Sequence, residues 1–71
     1  MEKRFTYTNN LGRAKEIRIY EDNIQNGKIF SIIIDRSTSE ICSSGYNTRE
    51  ELSNFLKNYN IIYWQVNKSM I

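Results

Sequence analysis

Residues 28–35 read KIFSIIID, and how this stretch is shared between the two sides of a sheet decides the fold. A half-buried strand alternates apolar and polar side chains. Here Phe30, Ile32 and Ile34 share one face while Ile29, Ser31 and Ile33 share the other, so both faces are largely apolar. A strand of that kind belongs in the middle of a sheet, where neighbours screen it on several sides.

Working outward from it, EDNIQNG at 21–27 is expected as a second turn, ending in an Asn-Gly pair suited to a tight reversal, because both residues tolerate positive φ. Before it, residues 15–21 alternate, with Ile17 and Ile19 on one face and Glu16, Arg18 and Tyr20 on the other. Earlier still, Phe5 and Tyr7 alternate with Arg4, Thr6 and Thr8, and NNLG at 9–12 reads as the turn joining two strands of a hairpin. On the far side, RSTS at 36–39 makes a third reversal and EICSS at 40–44 a short fourth strand. Asp35 and Glu40 flank that reversal, where a solvated cross-strand pair or a turn contact is expected of the two acids in place of acid–base work.

The pattern then changes period. In TREELSNFLKNY, 48–59, Leu52, Phe55, Leu56 and Tyr59 fall at i, i+3, i+4 and i+7, one apolar stripe of an α-helix. Thr48 as N-cap with Glu51 three residues on predicts a capping box. Glu50 and Glu51 at the start and Lys57 at the end suit the helix dipole, and Asn58 or Asn60 suits a left-handed exit. IIYWQV, 61–66, is aromatic and β-branched and predicts a final strand.

The order is β-β-β-β-α-β: a single α+β domain over 1–71, with a small antiparallel sheet and one amphipathic helix packed on one face. The helix stripe is expected on Phe5, Tyr7, Ile17, Ile19, Phe30, Ile32, Ile34 and Trp64. The opposite face then shows Arg4, Thr6, Arg18, Tyr20, Ile29, Ser31, Ile33 and Tyr63. Leaving Ile29 and Ile33 in water forgoes about 1.5–3 kcal/mol each relative to burial, a sizeable share of a total stability of roughly 5–15 kcal/mol. The open face is therefore expected to be covered by something else.

Composition narrows what that could be. The 71 residues contain no histidine and one cysteine, Cys42. A His-based triad or proton shuttle is excluded, Cys42 has no histidine partner, and the commonest zinc ligand is missing. The three glycines, Gly12, Gly27 and Gly45, mark turns and form no phosphate loop. Catalysis, cofactors and metals are accordingly not expected. No apolar run approaches the roughly 20 residues a membrane helix needs, and the N-terminal MEKRFTYTNN lacks the apolar core of a signal peptide. A lone cysteine suits a reducing cytoplasm. Net charge is +2, with the basic excess in residues 1–20, where Lys3, Arg4, Arg13, Lys15 and Arg18 face only Glu2 and Glu16.

The expected function is binding. A protein partner, a second copy of the chain included, is expected to contact Arg4, Arg18, Tyr20, Ile29 and Ile33, since mixed apolar, Tyr and Arg surfaces are favoured at interface centres. An exposed edge at IIYWQV or around Ile41 offers strand addition as a further mode. The profile is that of small phage and mobile-element proteins, inhibitors or modulators among them. The alternative is nucleic acid held by the basic N-terminal hairpin, with Arg13 and Lys15 supplying charge. The segments RFTYTNNLGRAKEI, 4–17, and SGYNTREELSNFL, 44–56, are similar to integrase arm-binding domains, a resemblance that implies a three-stranded sheet reading DNA beside a helix. It spans about half of the chain and breaks at the strand 28–35, which is apolar and ends in Asp35 where a DNA reader needs basic and polar groups.

Overall fold

The computed structural model describes residues 2–64. They form β1 (Glu2–Thr8), β2 (Ala14–Gln25), β3 (Lys28–Asp35), β4 (Ile41–Asn47) and α1 (Arg49–Lys57). The strands make one antiparallel sheet in the order β1-β2-β3-β4, a small α+β fold with β3 in the interior. Each reversal follows from local chemistry. Asn9 Oδ1 accepts from the N–H groups of Leu11 and Arg13, at 3.0 and 2.9 Å, and closes the first turn. Asn26 and Gly27 both take positive φ, 53° and 76°, as a two-residue hairpin turn demands. At the third turn Asp35 Oδ1 accepts from Ser37 N–H (2.8 Å), Ser37 Oγ–H (2.6 Å) and Thr38 N–H (3.3 Å), the turn contact expected of that acid.

The helix forms as its sequence predicts. Thr48 caps it, accepting from Glu51 N–H while Glu51 accepts from Thr48 N–H at 2.8 Å. That hydrogen bond lowers the Glu51 pKa. Asn60 takes the left-handed exit (φ 61°), and Ile61 N–H reaches back to Leu56 O at 3.0 Å. Leu52 and Leu56 are buried with Ile17, Ile19 and Ile29, and Phe5, Tyr7, Ile33 and Phe55 pack around them. The rings of Tyr7 and Phe55 meet edge to face at 5.6 Å, and those of Tyr7 and Tyr59 lie 4.4 Å apart, so the second half of α1 sits over β1.

Two expectations are corrected here. The first concerns which side of β3 meets the helix. A regular ladder leaving the Asn26–Gly27 turn through Gln25↔Lys28 and Ile24↔Ile29 would oppose Ile19 to Ile34 and place Phe30, Ile32 and Ile34 beneath the helix. Instead Glu21, Asp22 and Asn23 bulge between Tyr20 and Ile24, and the ladder resumes at Tyr20↔Phe30, with Ile19 opposite Ser31 and Ile17 opposite Ile33. Side chains alternate with period two, so a bulge of three residues reverses the parity of the pairing and exchanges the faces. Ile29 is 2% exposed beneath the helix and Ile33 packs on the same core, while Phe30, Ile32 and Ile34 line the open side.

The second concerns the chain after the helix. Residues 61–64 carry no strand, and the remainder of IIYWQV lies outside the described residues. Tyr63, expected on the open side, is buried on the helix side, its ring edge-on to Phe5 at 5.9 Å. Trp64, expected in the core, is 39% exposed and is held by Ser53 Oγ–H donating to its carbonyl at 2.7 Å and by Arg49 over its ring at 5.9 Å. The reason is the left-handed turn at Asn60, which sends the chain along the covered face instead of beside an edge strand.

Candidate binding surface

Antiparallel partners share a face, so the register lays out the open side as rows across the sheet. Glu2, Tyr20, Phe30 and Tyr46 form one row. Arg4, Arg18, Ile32 and Ser44 form the next, and Thr6, Glu16, Ile34 and Ile41 the third. The register slips between Ile33 and Ile34, which skips Cys42 and brings Ile41 onto the open face. The surface is thus divided along its length. The β1–β2 half carries charge, and the β3–β4 half carries aromatic and aliphatic side chains.

On the charged half the arginines are not bare. Arg18 Nε donates to Glu16 Oε2 at 2.6 Å, and Arg4 Nε donates to Glu2, each across two positions of one strand. The hydrogen bond from Arg18 lowers the Glu16 pKa, and the charges of Arg4 and Arg36 act in the same direction. Four charges sum to zero. On the apolar half, Phe30 sits between Tyr20 and Tyr46, with ring centroids at 5.8 and 5.2 Å. Tyr46 O–H donates to Asn23 Oδ1 at 3.2 Å, tying the bulge to the sheet edge. Ile41 is 62% exposed.

Of the residues singled out from sequence, Arg4, Arg18 and Tyr20 come together on this face. Ile29 and Ile33 do not, because the bulge turns them inward. The residues that replace them are Phe30, Ile32, Ile34, Ile41 and Tyr46. The sign that could have found them is the polar run Glu21-Asp22-Asn23, which interrupts β2 before Ile24 returns to the ladder. Lys15, the expected phosphate contact, lies on the helix side. Its Nζ donates to Asp35 Oδ2 at 3.0 Å, with both side chains nearly buried, and to Cys42 Sγ at 3.3 Å. Hydrogen bonds from Ser37 and Lys15 hold the Asp35 carboxyl well below its ordinary 3.8. Arg13 remains at the exposed tip of the first hairpin.

A concavity of about 170 Å³ lies between the first half of α1 and the β3–β4 edge, lined by Ile33, Ser43, Gly45, Glu51, Leu52 and Phe55. It exists because α1 sits toward β1 and because Ser43 and Gly45 are small. Among the described residues no helix is long and apolar enough to cross a membrane. Compared with models of known protein families, with curated proteins and with solved structures, the chain matches none.

Proposed function

We propose that this chain is a non-enzymatic binding protein that engages a protein partner through the open face of its sheet. The observation that supports this reading is the pairing of an uncovered strip, Phe30, Ile32, Ile34, Ile41 and Tyr46, with a charged half whose four charges cancel. Apolar side chains with Tyr and Arg at hand are the composition of interface centres. Arg4 and Arg18 are each paired with a carboxylate, which leaves them less to offer a phosphate backbone, whose affinity rests on unpaired Lys and Arg; Arg36 beside Glu16 adds one further positive charge near this face. The nucleic-acid reading is weaker for the same reason, since Lys15 is committed to Asp35 and leaves Arg13 as the hairpin's contribution. The exposed lone thiol of Cys42 supports a reducing, cytoplasmic setting.

The test is site-specific photocrosslinking in the native host. A photoreactive residue at Tyr46 is expected to yield a discrete protein adduct that disappears when Ile32→Asp is added. The same residue at Leu11, on the first hairpin, is expected to yield none. Absence of any adduct at Tyr46, or adducts that ignore Ile32→Asp, would sink the proposal. An oligonucleotide shifted by the purified chain at low salt, with Arg13→Ala abolishing the shift, would favour the alternative.

A further inference from the structure

The layout of the open face is complementary to itself. Take two copies stacked face to face and related by a two-fold axis that lies between the sheets, runs across the strands, and passes at the level of Ile17 and Ile33. This axis exchanges the row of Arg18 and Ile32 with the row of Glu16 and Ile34. Arg18 of each copy then faces Glu16 of the other, and Ile32 of each faces Ile34 of the other. Arg36, which follows β3 and lies near enough to Glu16 to act on its charge, comes over the Tyr20–Phe30 aromatic pair of the opposite copy, a cation–π placement. An axis along the strands does the reverse. It lays Arg18 on Ile32 and Glu16 on Ile34, burying charge against hydrocarbon, which is costly without a partner.

From this we infer that the occupant of the open face is a second copy of the chain, bound isologously about an axis that crosses β2 and β3, with reciprocal Arg18–Glu16 contacts. The inference rests on the reading of the open face as a binding surface and names its partner. Isologous pairing is the commonest route to dimers, since one patch serves both sides. Packed sheets lie about 10 Å apart, a gap that facing Arg and Glu side chains can span. Arg18 uses one of its five N–H donors on its own Glu16, so donors remain for the other copy.

The area sets the strength. Four strands about 4.8 Å apart and about 25 Å long give a footprint of roughly 500 Å² per copy. About 1,000 Å² in total is at the lower end for a specific interface. A dissociation constant in the range of about 1–100 µM is expected, a dimer governed by concentration.

The experiment is sedimentation of the purified chain from roughly 1 µM to 1 mM. The mass is expected to rise from 8.5 kDa to twice that value. Glu16→Arg and Arg18→Glu each place like charges across the axis, and each is expected to weaken the dimer by about tenfold or more. Mixing these two variants sets a pair of arginines on one copy against a pair of glutamates on the other, so a heterodimer is expected. The double variant E16R/R18E restores the homodimer. Circular dichroism on each variant confirms that the sheet persists. A chain that stays at 8.5 kDa at 1 mM overturns the inference, as do single variants that dimerise like the parent or fail to pair when mixed. If the chain is monomeric and the Tyr46 crosslink captures a different protein, the dimer is wrong and the binding-surface reading stands.

Discussion

The two faces of the sheet are built from nearly equal apolar material and differ in what covers them. On the helix side Ile17, Ile19 and Ile29 are at most 2% exposed under Leu52 and Leu56. On the other side Phe30, Ile32 and Ile34 are shielded only by their neighbours on the strands, and Ile41 stands in solvent. One nine-residue helix and a short tail are enough to complete one core. The second face keeps its apolar side chains without such a cover, and the proposed binding role rests on that difference.

The largest effect separating the faces is expected from truncation beneath the helix. Leu56→Ala should cost about 2–5 kcal/mol through lost transfer energy and a cavity, enough to bring a domain of this size close to unfolding in urea titrations. Next is Tyr63, which closes the end of the covered face. Burial first, and then donation to Glu21 Oε2 at 2.5 Å, push its hydroxyl pKa up to about 12. The neutral form is the one stabilised, so its contribution is complete below the ordinary tyrosine value of 10.0 and is lost as pH rises toward 12. Tyr63→Phe should cost about 1.5 kcal/mol at neutral pH and flatten the alkaline limb of a stability–pH curve.

Smaller still, Thr48→Ala removes the capping box that holds the covering helix and should cost about 1 kcal/mol, with Thr48→Ser close to neutral. Smallest is Ile32→Ala on the open face, which should change the stability of a dilute monomer by about 1 kcal/mol, because the half-buried side chain has no helix above it and its truncation leaves a dent open to water instead of a closed cavity. If Ile32→Ala proved as costly as Leu56→Ala in dilute thermal melts, the distinction between covered and open faces would fail.

What was legible in advance was whatever depends on neighbours in sequence. The helix over Arg49–Lys57 could be read from a 3.6-residue period and a Thr-x-x-Glu cap, both local to one turn. The four strands could be read from alternation and composition, and the first two reversals from Asn and Gly at positions of positive φ, whereas residues 21–25 and Gly45, all read as turn, lie within β2 (Ala14–Gln25) and β4 (Ile41–Asn47). Arg4, Arg18 and Tyr20 could be placed on the open face because their parity relative to Ile17 and Ile19 lies within one hairpin.

The side of β3 that faces the core could not be read that way. Both of its faces are apolar, so hydrophobicity alone was nearly indifferent between them, and the choice passed to the register. The register was set by three bulged residues, Glu21 to Asn23, whose odd number reverses every side chain beyond them. The tail was equally undetermined, since IIYW has strand-forming residues but Asn60 turned it along the covered face instead of pairing it with either edge strand. By itself the sequence determined one helix, four strands and a second apolar side too many for one helix to cover. Tertiary structure decided which side that is, because pairing between distant segments is settled by parity and closure, which no local window contains.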